Sequence, residues 1–175
     1  PRYINGILIK GDYADQYGEA EHKGNVHQDW YWSATDGMER RMYVYTPYGY
    51  DKGKSYPVLY LLHGGGGDED AWYTLGRTRQ ILDNLIEHGK AKPMIVVMPN
   101  GNPGQYAASP LQIPTKTIER KFTNTFNNYQ SLAADIVPYI ESHYKASRKR
   151  TDRAVAGLSM GCGQSFFVAF SNVDM

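Results

Sequence analysis

The chain has 175 residues, with 19 Lys and Arg against 18 Asp and Glu and a formal net charge of +1. That length supports one domain with a core of its own, and so even a charge balance argues against a nucleic-acid or acidic-polymer partner. No apolar run approaches the roughly 20 residues of a membrane span, and the single cysteine, Cys162, excludes an internal disulfide and a multi-cysteine metal site. The sequence opens on Pro1 and not on methionine, so the lack of a leader peptide carries no information on compartment.

Residues 1–24 are polar and glycine-rich around Ile7-Leu8-Ile9 and predict an extended segment. Val26 to Ser33 and Arg41 to Thr46 are rich in β formers and flank Thr35-Asp36-Gly37, which predicts an antiparallel strand pair closed by a turn. Pro57 to Leu62 is a continuous apolar run, the mark of a strand covered on both faces, and it stops at His63-Gly64-Gly65-Gly66-Gly67. From Ala71 to His88, Leu75, Ile81, Leu82, Leu85 and Ile86 predict a helix, clearest in its second half and ended by Gly89. Pro93 to Pro99 is a second fully apolar strand.

Asn100 to Asn128 is polar and rich in Gly, Pro, Thr and Asn; loops of that length in compact domains are usually functional or disordered. A helix over about Tyr129 to Tyr144 puts Leu132, Ile136, Val137, Ile140 and Tyr144 on one side, with Pro138 set to break or kink it. A basic loop, Lys145 to Arg153, leads to the strand Ala154-Val155-Ala156-Gly157. Leu158-Ser159-Met160-Gly161 follows, and then an apolar helix containing Phe166, Phe167 and Phe170. There is no internal repeat.

Strands alternating with helices predict an α/β fold: a mostly parallel sheet with an antiparallel N-terminal strand pair and helices on both faces. In such sheets ligands bind beyond the carboxyl ends of the strands. The four-glycine loop, the long loop after Met98, and Ser159 all reach that edge. Gly157-Leu158-Ser159-Met160-Gly161 between strand and helix has the nucleophile-elbow pattern, in which the flanking glycines let strand and helix approach and the serine hydroxyl is turned outward. The Met160 amide, at a helix N-terminus, is one donor for a developing oxyanion. Gly65 is the expected second donor, with Gly64 and Gly66 as neighbours. The competing reading of Ser159 is a plain Gly/Ser turn. A phosphate-cradling role for the glycine loop lacks the Lys-Ser/Thr pair that role requires. Cys162 is expected to be a small packed thiol and not a nucleophile.

Acyl transfer also needs a base and an orienter for it. His22, His27, His63, His88 and His143 all precede Ser159, whereas hydrolases of this layout place the acid and the histidine after the serine. His63 is expected to order the glycine loop, and the other histidines to be surface or capping residues. Asp174, the acid that follows Ser159, is expected to be solvated. The expectation is a single, incomplete domain over residues 1–175 whose acid and base lie outside it.

Taken together, Tyr56 to Glu69, Trp72, Val96 to Asn100, Pro138 to Glu141 and Ala156 to Gly161 resemble the esterase D and carbohydrate esterase family 1 group of α/β-hydrolases, over about Val26 to Ser171. That group includes feruloyl and acetylxylan esterases, enterobactin esterases and mycolyltransferases, and the likeness is strongest to bacterial feruloyl esterases of xylan-degrading systems. The resemblance implies the N-terminal part of an α/β-hydrolase. It also implies a secreted serine esterase that releases ferulate or acetate from feruloylated or acetylated xylan through Ser159, without metal or cofactor. Cys162 departs from the glycine usual there. Tyr106, Phe122 and Phe126 are then candidates to shape an acyl or sugar pocket. Trp72 is another, with packing beneath the glycine loop as its alternative. A small-acyl or thioester hydrolase of the S-formylglutathione type and a non-catalytic fragment are the other readings. In an incomplete fold the strand before Ser159 becomes a sheet edge, which predicts self-association.

Overall fold

A computed structural model of the chain describes residues 9, 11, 14–52, 55–102, 104–107 and 129–175. Five strands, β1 (Asn25–Ser33), β2 (Met38–Thr46), β3 (Val58–Leu62), β4 (Ile95–Pro99) and β5 (Arg153–Gly157), form one sheet in the order β1-β2-β4-β3-β5. β1 and β2 pair antiparallel around a turn with Gly37 at φ +63°. β2 lies antiparallel to β4, whereas β3 is parallel to both β4 and β5. The predicted mixed sheet is therefore present, and the carboxyl ends of β3, β4 and β5 share one edge.

Alternation along each strand divides the core. Val58, Tyr60, Leu62, Ile95, Val97, Met42 and Val44 point to one face. There they meet Tyr129, Leu132, Ile136, Val137 and Ile140, together with Val168 of α4 (Met160–Ser171). Tyr45, Val96, Met98, Leu59 and Leu61 point the other way, against α1 (Ala71–Thr74) and α2 (Thr78–Glu87). β4 is buried at every position, as expected of a strand with helices on both sides.

Three sequence expectations need correction. The helix expected from Ala71 to His88 is two helices, because Gly76 and Arg77 (φ +50°) reverse the chain between them. The helix around Pro138 neither stops nor simply kinks. Leu132–Ile136 is wound as a π-helix and passes into α3 (Val137–His143), with Val137 N–H bonded to Leu132 O. The wider turn comes directly before the proline, which has no N–H to offer and stands in the first turn of α3. Cys162, expected to be packed, is exposed. The face of α4 that carries it also carries Phe166 and Phe170, and among the described residues no element covers that face.

β5 has β3 on one side and, among the described residues, no strand on the other. With Phe170 75% exposed beside that edge, residues 1–175 on their own are expected to self-associate through open backbone donors and apolar side chains. Sedimentation velocity should show a mass that rises with concentration; a monodisperse monomer contradicts the expectation.

Candidate active site

β5 ends at Gly157 and α4 begins at Met160, so two residues reverse the chain. Ser159 takes φ +53° and ψ −109°, and it and Arg77 are the non-glycine residues with positive φ among those described. Such a conformation costs on the order of 1–3 kcal/mol and persists when its surroundings enforce it. Here the surroundings are backbone. A Cβ on Gly157 would stand 2.8 Å from Gly161 Cα, and one on Gly161 would stand 2.5 Å from Leu62 O and 2.7 Å from His63 O. Strand β5, helix α4 and the end of β3 touch without side chains between them. The result leaves Ser159 exposed and buries the next residue, Met160.

The glycine loop lies against this elbow. A Cβ on Gly64 would be 3.6 Å from Ser159 Cβ and 3.3 Å from Leu158 O. Gly64 to Gly67 form a turn closed by Gly67 N–H to Gly64 O (3.0 Å), with Gly66 at φ +81°. Neither the Gly65 nor the Met160 amide donates to another backbone group of the described residues. The Met160 amide thus stands at the positive end of a twelve-residue helix, and the Gly65 amide belongs to the loop that packs on the elbow.

Polar ties behind the loop hold it. His63 is 2% exposed. Its Nε2 accepts the Gly101 amide (2.9 Å), which places the proton on Nδ1, and Nδ1 donates to Gly64 O (2.8 Å). With both nitrogens engaged, His63 has no lone pair for a serine proton; it orders the loop. Gly101 O in turn accepts from Nε2 of the buried Gln164 (2.9 Å). One residue after β4 so joins the end of β3 to α4.

Asn100 extends the network. Its carbonyl accepts from Arg40 Nη2 (2.5 Å) and Tyr129 Oη (3.0 Å), and its Nδ2 donates to Glu69 Oε2 (2.9 Å). Asn102 Nδ2 donates to Gly67 O (2.7 Å) and Arg41 Nε to Glu69 Oε1 (2.8 Å). Arg40 is fully buried and paired with Asp36 (2.6 Å). Burial opposes its charge, but Tyr31, Tyr129 and Asp36 outweigh that and raise its pKa. Burial pushes the Tyr129 phenol well up, so it remains a donor.

The other candidates separate. Tyr106 lies 5.4 Å from Trp30, ring to ring, and its hydroxyl donates to Glu39 (3.0 Å). Trp72 is partly buried against the Tyr45, Leu82, Val96 and Met98 cluster. Phe122 and Phe126 lie outside the described residues. His88 bonds Asn84 O and His143 bonds Tyr139 O at helix ends, His27 bonds Thr46, and His22 meets Glu87. Glu21, His22 and Glu87 are the described group whose ligand atoms converge, all exposed at the end of α2, where Glu87 already accepts the Glu21 and His22 amides. Sequence reasoning missed Arg40, Glu69, Asn100, Asn102 and Gln164. A signal existed for two of them. Asn100 follows a fully apolar strand at the ligand-binding edge. Gln164 sits midway between the buried Met160 and Val168 at helical spacing.

Comparison with known proteins bears on the family and the fold. Residues 33–175 match the Esterase family model, described as Putative esterase. The chain is 34% identical over 182 residues to the endo-1,4-beta-xylanase/feruloyl esterase of Xylanibacter ruminicola, covering 99% of this chain and 24% of that protein. It is 31% identical over 142 residues to endo-1,4-beta-xylanase Y of Acetivibrio thermocellus, covering 75% of this chain and 12% of that one. A CE1 ferulic acid esterase of Anaeromyces mucronatus, solved in complex with ferulic acid, superposes with a TM-score of 0.72 at 30% identity over 98% of this chain and 62% of its own. The chain spans less than two thirds of each of these relatives.

The ties at Gly101 set an expectation. His63→Ala and Gln164→Ala each leave a buried peptide group unpaired and should cost about 1–3 kcal/mol in urea unfolding of the full-length protein. Because both act on the same residue, the double variant should cost less than their sum by at least about 0.5 kcal/mol; strict additivity would show that the two ties are independent.

Proposed function

Because this chain belongs to the Esterase family, we propose that it carries the nucleophile and oxyanion hole of a serine esterase that releases ferulate, or acetate, from xylan. The observation that carries the reading is the strained, exposed Ser159, next to Met160 and packed against the Gly64–Gly67 turn, with the Gly65 and Met160 amides donating to no backbone group among the described residues. Ser159 Oγ attacks the ester carbonyl, and its proton passes to a base. The carbonyl oxygen becomes an oxyanion held by the two amides, donors already in place before charge develops. Collapse breaks the bond to the sugar oxygen, which takes the proton from the base to leave as a hydroxyl, and an acyl-serine remains. Water, activated by the same base, then releases the free acid and restores Ser159.

None of the described histidines stands as that base. We assign the base and its orienting carboxylate to the part of the fold that the relatives have and residues 1–175 do not span. The scheme calls for no metal. Ferulate is favoured over small thioesters because a feruloyl esterase module and a ferulate-bound structure are among the relatives. A polymeric plant substrate implies action outside the cell. Among the described residues no helix is long and apolar enough to cross a membrane.

In the full-length protein a fluorophosphonate probe is expected to label Ser159, and Ser159→Ala to abolish labelling and lower kcat on methyl ferulate by about 10⁶-fold. An unlabelled serine overturns the proposal. Labelling with turnover of formyl thioesters but not of methyl ferulate moves the activity to the small-acyl alternative.

A further inference from the structure

The outer face of the β1–β2 hairpin carries more exposed aromatic surface than a sheet margin requires. Trp32 is 66% exposed, and Trp30 and Tyr106 are each 39% exposed. Register places Trp32 opposite Glu39, Trp30 opposite Arg41 and Gln28 opposite Tyr43, all on the face that α1 and α2 cover farther along the sheet. β2 runs past Pro99, its partner at Met42, so this end of the hairpin lies at the same edge as Asn100, the glycine loop and Ser159.

Trp30, Tyr43 and Tyr106 are held by neighbours. The Arg41 guanidinium sits 5.6 Å from the Trp30 ring centre and 5.7 Å from that of Tyr43, while its Nε is held by Glu69. Tyr106 is anchored to Glu39 and Tyr43 to Gln28 (3.2 Å). Glu69 also holds Asn100, so the aromatic face and the oxyanion loop hang from one carboxylate.

We propose that this face, with Trp30, Trp32, Tyr106, Glu39 and Arg41, is a platform for the main chain of a neutral polysaccharide whose ester is cleaved at Ser159. Flat rings suit the C–H faces of sugar rings, and immobilised Glu39, Arg41 and Gln28 suit the hydroxyl edges between them. Arg41 is neutralised by Glu69, so the face does not select an anion. β1 is four strands from β5, about 19 Å at the usual interstrand spacing. A ligand touching both Trp32 and Ser159 must therefore be a chain of several sugars and not a small ester. The proposal takes from the preceding section only that the ester binds at Ser159.

The test is affinity electrophoresis of the full-length Ser159→Ala protein in gels containing soluble, ester-free arabinoxylan. Retardation is expected, with the apparent Kd rising at least fivefold in Trp32→Ala and further in Trp30→Ala/Trp32→Ala, while Trp32→Phe retains binding and so separates a lost ring from a lost fold. No retardation, or retardation unchanged in the double variant, overturns the platform. A changed sedimentation coefficient with unchanged retardation would also overturn it, by showing the face to be a protein contact. Xylan retardation that depends on Trp32 in a protein whose Ser159 does not label supports the platform and sinks only the ester-hydrolase proposal.

Discussion

The site depends on one residue with no side chain. Gly101 gives its N–H to His63 and its carbonyl to Gln164. His63 closes the carboxyl end of β3 and opens the glycine loop, Gln164 stands in α4 behind the elbow, and Gly101 follows β4. Three elements that converge from distant parts of the sequence are thereby held to hydrogen-bond tolerance. A Cβ at this position would lie 2.5 Å from Gln164 Oε1, so a larger residue here would have to push the Gln164 amide aside. This tie holds the end of β3, where the glycine loop opens, against α4 and the Ser159 elbow.

Behind that tie stands a buried cation. Arg40 comes from β2, one strand in from the sheet edge, is fully buried, and fixes the Asn100 and Asn102 carbonyls. A buried ion pair adds little net stability compared with apolar packing, yet removal of one partner is severe because the other is stranded. Arg40 and Asp36 are better understood as a device for position. They set where the chain leaves β4, and the chain leaving β4 sets His63 and Gln164. At the opposite side of the sheet the construction is looser. β5 and the outer face of α4 present Leu158, Phe166 and Phe170 to solvent. Ser159 thus sits between a tightly tied flank and an open one.

The architecture was legible because it is written in local patterns. Two apolar runs became β3 and β4, the Thr35-Asp36-Gly37 turn joined a strand pair, and glycine spacing around Ser159 announced a strand–helix reversal that the clash distances explain. The positioning network was not legible, because its members are single polar residues whose partners are 28 to 63 positions away. Arg40 precedes the strand expected from Arg41, with Glu39 and Arg41 beside it, and the observed β2 begins earlier, at Met38, and buries it. The division at Gly76 and Arg77 was hidden by apolar residues on both sides that kept a helical rhythm. Cys162 was misjudged for a related reason: small residues after an elbow usually pack, but packing needs an element on that side of α4.

The π-helical turn at Leu132–Ile136 has an effect on how this region can evolve. It is equivalent to one supernumerary residue in an otherwise α-helical segment. Every side chain before it is rotated by roughly 100° relative to those after it, compared with an uninterrupted helix. Tyr129 and Asp135 use that offset: the first bonds Asn100 and the second bonds Ser33, while Val137 and Ile140 still face the core. Conservative exchange of residues here leaves the phase intact. Deleting a single residue would restore ordinary winding and swing the Tyr129 hydroxyl off the strand end it steadies. Insertions and deletions, more than substitutions, are what this segment selects against.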